Sequence, residues 1–535
     1  MNTRWLSLFA ASLLPLVCAA PAAADEIDEL RSLRATTMNL VNALVEQGVL
    51  SREKADALIR QAQQSGSASA PAAAAPQAAA ASGTAVAPGV VRVPYVPEAV
   101  RAQIRDEVRA DVLAQARTER WGDPGTLPDW LKHLSWGGDL RLRGEEDRFP
   151  EDNVPNVPVT VVQFPPFGYN INNTTEQRNR LRIRARFGLE AHMGSSVTAG
   201  LRLTTGGVGA GSDPGSENQT LGNYNTRASV GFDRAYLTYR PASWATLSGG
   251  RLGNPFYSSS TLVWTDDLSL EGVVATLSPH ITDALVVFAT AGAFPIQDIE
   301  PTPLTRADSK WMLGYQLGLH WRLGEASQLH VGAALYDYRH IEGIPNPTLI
   351  STDFSLTAAA FRQKGNTVFD INELANTTNG TQNFLFGVAA KFRVANVSAS
   401  LDLPLFGATH VILDTDFVKN IGFDRQEILA RTGLDVEERT RGMQHRITFG
   451  RTSLTERNAW QAYVGYRHVE RDAVLDAFTE TDFRLGGTDA SGYFIGGRYA
   501  FDEGSNIGIR WLSGKEIDGP PLSIDVLQLD VVTSF

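Results

Sequence analysis

The sequence predicts an all-β transmembrane antiparallel β-barrel of about sixteen strands, preceded by an α-helical periplasmic extension. Three observations carry this. From Leu134 onward apolar residues alternate with polar or small ones, the period of a strand with one lipid-facing side. Trp136, Trp244, Trp311, Trp321 and Trp511 stand near segment ends, as interfacial girdles require. The connections alternate short and long, the asymmetry of periplasmic turns and extracellular loops. A soluble sandwich or propeller also alternates, but the second face here is rich in Gly, Arg and Gln rather than packed small apolar residues.

The elements follow in order. MNTRWLSLFAASLLPLVCAAPAAADE has a positive Arg4, an apolar run from Trp5 to Val17 and small residues Ala22–Ala24 before Asp25, the pattern of a signal peptide over 1–24. The run is too short to span a bilayer as a helix. Cys18 is the single cysteine, so the mature chain has no disulfide, cysteine-ligated metal or thiol nucleophile. Residues 25–64 show helical spacing broken at Gly48, a coiled-coil-like hairpin. Residues 65–95 form an Ala/Pro/Ser-rich linker, and 96–133 a helical segment and connector.

Strands are expected at 134–147, 178–192, 196–205, 227–240, 244–252, 267–277, 284–294, 310–323, 328–338, 381–393, 396–418, 440–452, 457–469, 491–501, 505–513 and 524–535. KWMLGYQLGLHWRL sets Trp311, Leu313, Tyr315, Leu317, Leu319, Trp321 and Leu323 on one face, and QNFLFGVAAKFRV alternates similarly. Pro404 and Gly407 interrupt 396–418, which is read as one bent strand to keep the short–long parity. A pair hidden in 339–380 would raise the total to eighteen.

The C-terminal DVLQLDVVTSF ends on Phe535, with Val531, Leu529 and Leu527 behind it, and resembles the assembly signal of bacterial outer-membrane barrels. LVEQGVLSREKADALI (44–59), RVPYVPEAVRAQIRDEVRADVLAQA (92–116), WLKHLSWGGDLRLRGE (130–145) and RNRLRIRARFGL (178–189) occur in order. With DAFTETDFRLGGTDASGYFIGGRYAF (476–501) and the final 25 residues, they resemble the putative-porin family of Gram-negative outer membranes. The resemblance implies a porin-type channel in the outer membrane and no established solute. It implies contact with lipid, lipopolysaccharide and the barrel-assembly machinery, and a homotrimer by analogy with general porins.

Net charge is −11, so no nucleic-acid partner is expected. Yet Arg178, Arg180, Arg182, Arg184 and Arg186 alternate with Leu181, Ile183, Ala185 and Phe187. On a lipid face each would cost about 2–4 kcal/mol near the midplane, so the column must face water. Arg141, Arg143, Arg234, Arg240, Arg446, Arg467, Arg498 and Arg510 also fall on expected inner faces, where Glu190 and Asp530 are the clearest acids. A basic lumen favours anions. Alternatively, segment 253–266, the third long connection, folds inward and sets Asp266, Asp267 and Glu271 against the arginines, as the third loop of general porins does. A third reading is that the arginines pair with acids and only stiffen the wall.

No H-E-x-x-H, G-x-S-x-G, Walker or cysteine–zinc pattern occurs, and His320, His410, His445 and His468 are scattered without metal-ligand spacing. No enzyme activity, metal or cofactor is expected. GGVGAGSDPGS (206–216) reads as a loop tip. The function read from the sequence is passive diffusion of small hydrophilic solutes through a sixteen-strand pore. The alternative is a structural barrel whose residues 25–64 tether the membrane to the cell wall.

Overall fold

The computed structural model describes residues 133–155, 173–209, 211–324, 326–348, 351–372 and 385–535. All lie in the unit Asp106–Phe535. The expected signal peptide, hairpin, linker and connector fall outside the described residues.

The strands in chain order are β1 (Leu134–Arg148), β2 (Arg178–Met193), β3 (Val197–Thr205), β4 (Gln219–Thr220), β5 (Val230–Ala242), β6 (Ala245–Gly253) and β7 (Ser269–Leu277). Next come β8 (His280–Thr282), β9 (Leu285–Gln297), β10 (Lys310–Leu323), β11 (Ser327–Arg339), β12 (Val368–Asp370) and β13 (Phe386–Val388). The last are β14 (Arg393–Phe406), β15 (Thr409–Asn420), β16 (Arg441–Gly450), β17 (Trp460–Val469), β18 (Ala490–Asp502), β19 (Ser505–Glu516) and β20 (Ser523–Ser534). A helix α1 (Arg425–Thr432) begins at Asp424, whose carboxylate accepts from the Gln426 and Glu427 amides.

Each wall strand pairs antiparallel with its neighbour, and β1 pairs with β20, closing the sheet. Of the eighteen strands in that sheet, β4 and β8 are short pieces, leaving sixteen wall strands. Closure satisfies the backbone of every wall strand, the condition for standing in lipid. Among the described residues no helix is long and apolar enough to cross a membrane.

Alternation fixes the two faces. Leu140, Leu142, Leu181, Phe187, Leu237, Leu317, Val464 and Ile509 are exposed on the outer wall. The five tryptophans used as girdle markers are exposed too. Trp511 lies mid-strand in β19 rather than at an end.

The sixteen strands are not all those expected from the sequence. Segment 381–393 is not a wall strand: Phe386–Val388 pairs with β12 in a separate two-stranded sheet, and Ala389, Ala390 and Phe392 are fully buried beside it. Its alternation is incidental, because Gly387 to Ala390 are buried in succession rather than on one face. Segment 396–418 is instead two strands, β14 and β15, turning at Gly407. Gly407 takes φ +54°, which a side chain would strain, and Pro404 sits next to a register shift. One strand lost and one gained leave the total unchanged.

Candidate functional site

The inner face of β1 and β2 is built by register. Asp147, Glu145, Arg143, Arg141 and Asp139 stand opposite Arg178, Arg180, Arg182, Arg184 and Arg186. Acid meets arginine at both ends of this ladder, and arginine meets arginine in the middle. Two like charges side by side on adjacent strands destabilise each other, so the central rungs need acids from elsewhere.

Three loops and two strands supply them. Arg143 donates to Asp530 of β20 at 2.7 and 2.8 Å and to Asp482 of loop 470–489 at 3.0 Å. Arg184 donates to Asp139 and to Asp267 of loop 254–268, each at 2.9 Å. Arg186 reaches Asp139 at 2.5 Å and Glu217 of loop 206–229 at 3.3 Å. Arg180 and Arg182 share Glu145, at 2.6 and 3.3 Å. Burial alone would push the Asp482 carboxyl up, but Arg143 and Arg510 hold it well below the usual carboxylate range.

The other expected arginines behave similarly. Arg510 reaches Glu480 at 3.0 Å and also bonds Asp482 and Gln528. Arg467 is buried and reaches Glu480 at 3.1 Å. Arg446 donates to Asp414 at 2.9 Å, Arg234 to Ser269 at 3.3 Å, and Arg141 to Asn218 at 2.5 Å. Arg178, Arg240 and Arg498 form no ion pair within 4 Å among the described residues and are exposed. Glu190 accepts from the Tyr236 hydroxyl at 2.7 Å.

Loop 254–268 runs from β6 across the interior to the opposite wall. Tyr257 exchanges two 2.8 Å bonds with the Gln316 amide, Ser260 donates to Asp416 at 2.8 Å, and Ser259 donates to the Thr415 carbonyl at 2.8 Å. Leu262, Val263 and Trp264 are buried, Trp264 meeting Tyr336 edge-on at 4.9 Å. The expected constriction acids divide: Asp267 sits on Arg184, Asp266 is exposed, and Glu271 is not in the loop at all. Glu271 lies in β7 on the outer face, paired with Arg251 at 2.6 Å, because its parity matches that of exposed Val273 and Leu277.

The Gly-rich segment 206–216 is likewise no simple tip. It returns inward, bringing Ser216 and Glu217 onto Arg182 and Arg186. At the C-terminus Leu529, Val531 and Phe535 are exposed on the outer face that Leu527 shares, with the Phe535 ring 6.2 Å from that of Trp136.

The putative porin family matches residues 34–535. The chain belongs to that family. This porin is accordingly an integral outer-membrane barrel of the channel-forming type. No protein of curated function matches it. OprB of Pseudomonas putida is 11% identical, with 76% of this chain and 94% of that one covered and a TM-score of 0.42. The outer membrane channel DcaP of Acinetobacter baumannii is 10% identical, covering 77% and 99%, TM-score 0.38. OmpT of Vibrio cholerae in its trimer form is 10% identical, covering 75% and 99%, TM-score 0.38. These likenesses concern the fold alone.

Sequence reasoning missed most of the porin's inner acids. Asp139, Glu145 and Asp147 share the parity of Arg141 and Arg143, so the alternation itself could have found them. Glu217, Glu480 and Asp482 had no such signal, since loops that fold back inward carry no period.

Proposed function

We propose that this porin is a passive diffusion channel for small hydrophilic solutes, whose ion selectivity is set by arginine–carboxylate pairs rather than by a bare basic column. The observation that carries the reading is the pairing along β2: Arg180, Arg182, Arg184 and Arg186 each have a carboxylate within 3.3 Å. Exposed Arg498 and Asp266 and the half-exposed Arg446 add water-facing charge of both signs. A lumen of this kind favours water and polar solutes over apolar ones, while its paired charges weaken the anion preference of an unpaired column. The tether reading depends on residues 25–64, which lie outside the described residues.

Planar-bilayer recording of the purified protein tests the channel: stable stepwise conductance is expected, and none at any voltage would sink the reading. In a salt gradient the wild type should show a small reversal potential. Replacing Arg182 and Arg184 by Ser strands Glu145, Asp139 and Asp267 with fewer counter-charges, so the reversal potential should move toward cations. An unchanged value would mean that these pairs only stiffen the wall.

A further inference from the structure

The turn after β10 brings together two imidazoles on the inner wall. Gln316, Gly318 and His320 face inward on β10, and His330, Gly332 and Ala334 face inward on β11, with His320 directly opposite His330 in the register. Their ring centroids are 3.9 Å apart, tilted by 49°. Both side chains lie within a few residues of the short connection between β10 and β11, at that mouth of the barrel.

The surroundings leave nitrogen lone pairs available. His320 Nε2 lies 3.1 Å from Gln328 Oε1. An amide oxygen only accepts, so Nε2 carries the proton and Nδ1 is the free base. A second-shell acceptor of this kind is what fixes the tautomer of a metal-binding histidine. His330 makes no hydrogen bond through either ring nitrogen among the described residues, although it is only partly buried; its ring meets Tyr257 at 5.0 Å. The histidine–carboxylate pair among the described residues is a different one, His410 with Asp402 at 2.6 Å. Two neighbouring imidazoles with no acid between them are neutral-nitrogen donors, the ligand type that suits borderline divalent ions.

We propose that His320 and His330 bind a divalent transition-metal ion such as Zn²⁺, Ni²⁺ or Cu²⁺ at this mouth of the lumen. Water completes the coordination, because no group of three His, Cys, Asp or Glu converges among the described residues. That sets the site apart from a closed structural zinc centre and makes the ion exchangeable. The tilted rings, 3.9 Å apart, are too close to chelate one ion as they stand. His330 turns toward it without losing a hydrogen bond, moving off Tyr257 of loop 254–268. The bound ion adds two positive charges to a mouth where Asp402 of β14 is already engaged by His410.

The site rests on the fold, and only its effect on current rests on the channel reading. Equilibrium dialysis of the untagged, full-length protein in detergent, with Ni²⁺ as probe and Mg²⁺ as control, separates the two. The wild type should retain Ni²⁺ but not Mg²⁺. His320→Asn and His330→Asn should each weaken binding by at least about tenfold, while His410→Asn should match the wild type. Heat-shifted gel mobility checks that each variant is folded. In bilayers Ni²⁺ should lower the wild-type current reversibly with chelator, and His330→Asn should abolish the block. Equal Ni²⁺ retention by the wild type and the His320→Asn/His330→Asn double variant would overturn the site. Absence of any current would instead overturn the channel reading and leave the dialysis result standing.

Discussion

Arg143 concentrates the electrostatics of the inner wall in one side chain. It is 2% exposed and lies within 4 Å of Asp530, Asp482 and Glu145. A guanidinium suits this position because its planar fork grips Asp530 through Nε and Nη2 while Nη1 is left for Asp482, a fixed geometry that the point charge of an ammonium does not impose. Removing one partner of a buried ion pair leaves the others uncompensated, at a cost of about 3–5 kcal/mol. Arg143→Met should therefore lower the unfolding midpoint of the detergent-solubilised barrel well beyond the effect of Arg498→Met, whose side chain is exposed. Equal midpoints for the two variants would show that the network adds nothing to stability. The residue scale is also where the sequence was most legible. The arginines of β2 were readable because a charge on lipid is so costly that parity alone assigns their face. The acids that come from loops were not, since Asp267 reaches Arg184 of β2 and Asp482 reaches Arg143 of β1 from 83 and 339 residues away.

At the scale of elements, period two reveals a strand only where one face meets lipid and the other meets the lumen. Strand β10 satisfies that condition and matched its expected bounds. Segment 381–393 violates it: Val388, Ala389, Ala390 and Phe392 are buried whichever way they point, so its apolar content imitated a wall strand. Loops of this porin act as interior elements in their own right, and their anchoring is pH-dependent. Asp489, at the base of loop 470–489, is 1% exposed, and its carboxyl lies 3.7 Å from Arg471 and beside Glu516. Burial, reinforced by Glu516, pushes it up to about 8 from an ordinary 3.8. The folded state thus holds a proton that the unfolded state has released across that window. By linkage its stability falls as pH rises from the ordinary value toward the folded one. Asp489→Asn mimics the neutral form, so it should unfold like the wild type near pH 3 and progressively later than the wild type as pH rises, the gap being widest above pH 8. Thermal unfolding across that range measures this, and parallel curves would refute it. The inward path of loop 254–268 gives a second expectation at this scale. Shortening it by removing residues 257–264 takes away the Trp264 packing and should raise single-channel conductance; an unchanged conductance would place the narrowest point elsewhere.

For the whole molecule, the decisive contact is the one that makes a sheet into a barrel. Strand β1 and strand β20 are the first and last of the wall, and they pair along ten register positions from Asp139–Ser534 to Arg148–Asp525. Contacts so distant in sequence form late, after the entropy of closing the longest loop has been overcome. Phe535 extends this seam by one residue. Its amide donates to the Gly138 carbonyl at 3.1 Å, and its carbonyl accepts from the Gly138 amide at 3.0 Å. Its ring lies 6.2 Å from Trp136, which in turn lies 6.4 Å from Phe187 of β2. Gly138 has to be bare: a Cβ there would come within 2.8 Å of the Phe535 ring and 2.2 Å of the Arg186 carbonyl. The outer-face parity that Phe535 shares with Leu527, Leu529 and Val531 puts this aromatic on the lipid side. Phe535→Ala keeps both backbone bonds and loses the aromatic cluster, whereas deleting Phe535 loses both. Gly138→Ala pushes on both the ring and the β2 backbone at Arg186 while removing no outer apolar side chain. All three should lower the fraction of protein that reaches the heat-shifted, folded form in the outer membrane, deletion most, while Phe535→Tyr should stay near the wild type. If Gly138→Ala folds as well as the wild type while Phe535→Ala does not, the terminal aromatic acts before closure, as a recognition element for the assembly machinery. If both fall together, its contribution is the seam itself.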